Sequence, residues 1–168
     1  MWGRSTARRT EDLTEVRASD CYSCRQNAVP EVERPPREHI SDDGSWRVVH
    51  AIGCSLPGWL CLIPHRHISS LSEMTQEEAS LLGPLIRRLS AVLQRLTGAR
   101  KCYLMFFAEA PGFEHLHIHL VPRPPDCPED RVGPRIVAYL NDPEELWIAA
   151  EEMDAMALRV REELVAGA

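Results

Sequence analysis

Residues 115–123 read HLHIHLVPR, with histidine and apolar residues alternating strictly over the first six positions. A period of two marks a β-strand, because successive side chains leave opposite faces of the pleat. The chain must therefore supply partner strands. One face of this strand carries His115, His117 and His119, three of the seven histidines in 168 residues. Successive histidines on that face lie about 6.6 Å apart and the outer two about 13 Å apart. Zinc holds a histidine nitrogen at about 2.0–2.1 Å, so two of the three can share an ion, but all three cannot without bending the strand. At least one histidine has another task. The commonplace alternative, core histidines each bonded to backbone, requires all three to fall in register by coincidence.

Partner strands are available. "WRVVHAI" (46–52) and "WLCLIPH" (59–65) are apolar or β-branched runs separated by "GCSLPG", the pattern of a hairpin, and "KCYLMFFA" (101–108) precedes the histidine strand by a short loop suited to antiparallel pairing. Thr75 and Glu78 form a capping box, and Leu82, Leu85, Ile86, Leu89, Leu93 and Leu96 follow at helical spacing up to Gly98, with Pro84 bending the helix near its start. Residues 1–18 read as a flexible tail and 29–45, rich in proline and charge, as loop. Residues 19–125 form the main domain and 126–168 an extension. That extension runs from an irregular "PRPPDCPEDRVGPR" into a helix opening at Asp142, Pro143 and Glu145, with Leu146, Ala150, Met153, Ala157, Val160 and Leu164 on its apolar face. The fold class is α+β: an antiparallel sheet, a central helix and an acidic C-terminal helix.

Charge locates the acidity. From Asp126 onward eleven acids face four arginines, whereas the whole chain nets only −6, so the rest is close to neutral. This balance argues against stable binding to nucleic acid. The longest apolar runs are too short to span a membrane and the N-terminus has no secretory apolar stretch, so a cytoplasmic location is expected, with the six cysteines reduced or metal-bound. Cys21 and Cys24 form C-x-x-C, which serves either as a redox pair or as half of a tetrahedral zinc centre. His65, His67 and the first triad histidine can complete a Cys2His2 site, a closed and hence structural one that would tie the N-terminal segment to the sheet. The remaining histidines suit phosphorus chemistry: a neutral imidazole attacks phosphorus if its far nitrogen donates to a fixed acceptor, and a neighbour two residues on bonds a phosphate oxygen. Arg66, Lys101 and Arg123 are cations within plausible reach, and His50 faces either this pocket or the core.

Together, "PGWLCLIPHRHISSLSEMT" and "HLHIHLVPR" resemble the histidine triad family of nucleotide hydrolases and transferases, whose signature is His-φ-His-φ-His-φ-φ with φ apolar. The likeness spans roughly residues 21–123 and is nearest to zinc-carrying bacterial-type members such as diadenosine tetraphosphate hydrolases. The resemblance implies an α+β fold, a homodimer and a nucleotide substrate. It makes His117 the nucleophile that forms a nucleotidyl-histidine, His119 its helper at the phosphate, and Cys21, Cys24, His67 and His115 the ligands of a structural zinc; His50 and Arg123 are taken as substrate contacts from their place in the sequence and their side-chain chemistry, not from the resemblance. The chain departs from the family where many members carry an asparagine on the preceding strand and "G-Q-S/T" just before the triad. Here "MFFAEAPGFE" stands instead, with Phe106 and Phe107, at least one of them expected in the core, and with Glu109 and Glu114.

Three functions are consistent with these residues. The first is hydrolysis or transfer at a nucleotide phosphoanhydride or phosphoramidate through His117. The second is a nucleotide- or partner-binding dimer that has lost the chemistry. The third is a catalytic metal site with an open coordination position.

Overall fold

Residues 20–167 are described in a computed structural model of the chain; the expected tail, 1–18, lies outside them. Five strands form one antiparallel sheet: β1 (Ser41–Asp42), β2 (Trp46–His50), β3 (Leu60–Pro64), β4 (Lys101–Met105) and β5 (Ile118–Arg123), in the order β1-β2-β3-β5-β4. The register places Val49 opposite Cys61, and Cys61 and Met105 on either side of His119. β5, which carries His119, is therefore an interior strand paired on both sides, while β4 is left at the edge of the sheet.

Alternation sends the two faces of the sheet to different cores. Trp46, Val48, Leu60, Leu62, Ile118 and Leu120 pack against α2 (Gln76–Thr97) through Leu89, Val92 and Leu93, and against α3 (Ala150–Ala166) through Ala157, Val160 and Leu164. Val49, Cys61, Ile63 and Val121 form the second core with Trp59 and Ile136. The capping box of α2 is as expected: Thr75 Oγ1 accepts from the Glu78 N–H at 3.1 Å, Glu78 Oε2 accepts from the Thr75 N–H at 2.7 Å, and Gly98 closes the helix at a left-handed φ of 68°. Among the described residues no helix is long and apolar enough to cross a membrane.

The structure differs from the sequence-based expectations in four places. β4 stops at Met105 and β5 starts at Ile118, so His115 and His117 precede the ladder; Leu116 spends its N–H on the Ile68 carbonyl instead, at 2.6 Å. Phe106 and Phe107, 43% and 58% exposed, are both outside the core because the strand ends before them. The last helix opens at Ala150 rather than Asp142, whose carboxylate accepts both guanidinium nitrogens of Arg131 at 2.6 and 2.8 Å and the Ser55 hydroxyl, leaving no cap for a helix there. The proline-rich stretches are more regular than loops. Single 3₁₀ turns cover Glu31–Glu33, Pro36–Glu38 and Glu129–Arg131, and a longer one covers Gly133–Leu140, where prolines preset the φ that these turns need.

Candidate functional site

Cys21 caps the short helix α1 (Tyr22–Ala28), and Cys24 lies one turn later, so the C-x-x-C spacing puts both sulfurs at one helix end. That end sits against the segment preceding β5. His115 Nδ1 is 3.6 Å from Cys21 Sγ and 3.4 Å from Cys24 Sγ, and His67 Nδ1 is 3.2 Å from Cys24 Sγ. All four donor atoms lie within 4.8 Å of one another. A tetrahedral zinc with ordinary bond lengths separates sulfur from nitrogen by about 3.5 Å, so the donor set fits the ion in type and in size. His115 is fully buried and donates from Nε2 to the Pro64 carbonyl at 2.9 Å, which turns the Nδ1 lone pair toward the sulfurs. Burial holds its pKa down at about 4, and burial together with the neighbouring Cys21 pushes the Cys24 thiol up to about 11. A bound cation would reverse the penalty on the thiolates. Of the two histidines of "PHRH", His65 turns away to Asp42 at 2.8 Å and only His67 joins the cluster.

The other two triad histidines lie beside this cluster, with a different set of partners. His117 donates from Nδ1 to the His115 carbonyl at 2.8 Å, which leaves the Nε2 lone pair free. His119 accepts at Nδ1 from the Trp59 indole N–H at 3.0 Å, with Cys61 Sγ 3.3 Å from the same nitrogen. The His117 and His119 rings stand edge to face, centroids 4.8 Å apart. Burial holds the His119 pKa at about 4, so the ring is neutral at pH 7.

Both rings line one cleft. Tyr22 and Phe113, stacked at 5.3 Å, form one wall, with Ile52 and Leu140 on the rim and Val49, Cys61 and Ile63 from the sheet at the floor. Glu38, 6% exposed, also lines the cleft. Its carboxylate accepts from the Tyr22 hydroxyl at 3.0 Å and from the wholly buried Arg47 at 3.0 Å, and burial beside this carboxylate drives the Tyr22 pKa up to about 12. Such a cleft is apolar enough to bury an aromatic base and opens onto a nucleophilic nitrogen.

Two residues expected to contact substrate are placed otherwise. His50 lines the cleft, but its Nδ1 donates to the Ala51 carbonyl at 2.8 Å and its Nε2 accepts from the Gly58 N–H at 3.0 Å, so neither nitrogen is left for a ligand. Arg123 does not line the cleft at all; it pairs with Lys101 at the far end of β5, four residues or about 13 Å beyond His119. Arg66 is spent on the cap of α2, donating to both Glu78 oxygens at 2.8 and 2.7 Å. Trp59, Cys61, Tyr22 and Glu38 were not singled out from the sequence. Trp59 and Cys61 sit inside the motif "PGWLCLIPHRHISSLSEMT", which carries the family resemblance but, residue by residue, reads there only as an apolar strand.

Comparison with known proteins agrees with this fold. The profile of the family described as "Scavenger mRNA decapping enzyme C-term binding" matches residues 26–130. Among solved structures, a histidine triad protein from Sinorhizobium meliloti superposes with TM-score 0.61 at 25% identity, covering 74% of this chain and 87% of its own. A zinc-bound histidine triad family protein from Mycobacterium smegmatis gives 0.59 at 18% identity, covering 89% and 96%. A uridylyltransferase gives 0.60 at 20% identity over 87% of this chain and 45% of its own. A search of curated proteins found no match.

Proposed function

Since the chain belongs to the scavenger mRNA decapping enzyme C-terminal family and has the histidine triad fold, we propose that it is a nucleotide hydrolase or nucleotidyl transferase working through a nucleotidyl-histidine on His117. The carrying observation is the bond from His117 Nδ1 to the His115 carbonyl. It places the proton away from the substrate and presents the Nε2 lone pair to the cleft. Attack forms an N–P bond, and the bond to the leaving group breaks with its electron pair on that group. The imidazolium charge so created is held by the same carbonyl. Water then cleaves the N–P bond in a hydrolase, or an acceptor does so in a transferase. The substrate class is a phosphoanhydride or phosphoramidate of a nucleotide, such as a dinucleoside polyphosphate or an adenylylated compound, with its base between Tyr22 and Leu140. Arg123 and His50 take no direct part in this reading.

The same reading assigns Cys21, Cys24, His67 and His115 to a structural zinc. Four protein donors close the coordination sphere, so the metal would order α1 against the segment preceding β5 and supply no open position for chemistry. It also makes the chain a homodimer. β4 is an edge strand whose Leu104 is 50% exposed and is followed by exposed Phe106 and Phe107, which suits a second copy laid edge to edge. A reducing, cytoplasmic setting suits a chain whose Cys54, Cys61, Cys102 and Cys127 are free thiols and whose Cys21 and Cys24 are metal ligands in this reading.

The test is turnover of a panel of dinucleoside polyphosphates and nucleoside phosphoramidates by the zinc-loaded protein and by His117→Ala. Expected is turnover lost by at least about 10³-fold in the variant, with zinc content and melting temperature retained. Turnover that survives in His117→Ala contradicts the mechanism. Binding without turnover throughout the panel favours the second reading, a silent nucleotide-binding dimer, whose support is the aromatic segment "MFFAEAPGFE" ahead of the triad.

A further inference from the structure

We propose that Trp59 is a positioning residue that decides which nitrogen of His119 carries the proton, so that His119 meets the phosphate as a neutral hydrogen-bond donor. The inference rests on the reaction proposed for His117. The Trp59 side chain is wholly buried immediately before β3, and its ring stands edge to face with His119, centroids 5.6 Å apart. An indole N–H can only donate. At 3.0 Å from His119 Nδ1 it requires a lone pair on that nitrogen, so the single proton of the neutral ring is placed on Nε2.

The consequence appears when both rings are taken together. A backbone carbonyl puts the His117 proton on Nδ1, and an indole N–H puts the His119 proton on Nε2. Two chemically identical side chains are thereby held in opposite tautomers, one offering a nucleophilic lone pair and the other an N–H. As negative charge builds on the non-bridging oxygens during attack, a preset donor stabilises it without reorganising. Cys61 supplies the competing arrangement. Its sulfur lies 3.3 Å from the same Nδ1 and can accept weakly from a protonated nitrogen there. With the indole N–H removed, His119 can place its proton toward Cys61 and turn an Nε2 lone pair toward the phosphate, which repels it. Trp59 excludes that state.

The experiment is ¹⁵N NMR of the histidine rings in the full-length, zinc-loaded protein, together with steady-state kinetics, on wild type and Trp59→Phe. Expected in wild type is an unprotonated His119 Nδ1 with scalar coupling across the hydrogen bond from the Trp59 Nε1–H. In Trp59→Phe the coupling is gone, both tautomers are populated, and kcat falls by about 10- to 100-fold with KM little changed. A wild-type His119 protonated at Nδ1, or a Trp59→Phe variant with wild-type ring signals and kcat, overturns the proposal. Should Trp59→Phe not fold, the wild-type spectrum alone decides. Should the wild-type protein turn over no substrate, the proposed reaction fails while the tautomer assignment is still decided by the spectra.

Discussion

His115 and His117 are two residues apart and are used in opposite ways. His115 gives its Nε2 proton to the Pro64 carbonyl and points Nδ1 at two sulfurs, whereas His117 gives its Nδ1 proton to the His115 carbonyl and points Nε2 into the cleft. One cluster is sealed by four protein donors, and the other is left open on one side. The difference shows that residue type alone does not assign the chemistry of an imidazole. The carbonyl it faces selects which nitrogen remains free, and the surroundings decide which ligand that nitrogen suits, a metal beside two sulfurs or an anion at an open cleft. His50 completes the series, with both nitrogens consumed by backbone and no chemistry left.

The largest effect that separates the two clusters comes from removing a metal ligand. Cys24→Ser should lose zinc and lower the melting temperature by more than about 10 °C, since structural zinc binding is folding free energy. Activity should fall only together with the fold, and chelation of the wild type should behave in the same way. Zinc content by native mass spectrometry and a thermal melt decide this. Activity lost on chelation while the fold persists would instead make the metal catalytic and erase the distinction.

The second prediction concerns pH and belongs to the open cluster. The folded-state pKa of His119 is about 4 because burial disfavours the imidazolium, against 6.5 for the free side chain. Between those values the unfolded chain binds more protons than the folded one, so stability rises with pH. The His119 contribution, about 3 kcal/mol by this shift, is whole above pH 6.5 and is lost as pH falls from there through about 4. An NMR titration of the His119 ring separates this from proton competition at the zinc ligands. His119→Gln should flatten that part of the stability curve, and an unchanged slope would contradict the assignment.

The smallest effect is expected at His50. His50→Phe strands the buried Gly58 N–H and should cost about 1–3 kcal/mol of stability with kcat little altered, as unfolding in urea and initial rates would show. A loss of kcat comparable to that of His117→Ala would return His50 to the substrate contacts.

Much of this arrangement can be read from the sequence, for local reasons. Thr75, Glu78 and Gly98 bound α2 through capping chemistry confined to a few residues, whereas the alternation of His115, His117 and His119 reads as one strand although only His119 lies on β5. The C-x-x-C pair and the histidines near it are assigned by spacing and resemblance. The rest depends on contacts distant in sequence. Arg123 reads as a substrate contact because it is a cation within plausible reach of the triad, yet the strand carries it away from the cleft at about 3.3 Å per residue. Asp142 reads as a helix start until Arg131 and Ser55 occupy its carboxylate. Trp59 reads as one more apolar residue, because its N–H finds His119 across sixty residues. Glu38 in a charged, proline-rich stretch gives no hint of being buried against Arg47 at the cleft.

The most direct test of the central claim is intact-protein mass spectrometry of His119→Ala after brief incubation with an adenylylated substrate, followed by peptide mapping. The account predicts a nucleotidyl adduct on His117 that is absent in His117→Ala, in a protein carrying one zinc. An adduct on another residue, or turnover of the same substrate by the wild type with no adduct on His117 in either protein, would contradict it.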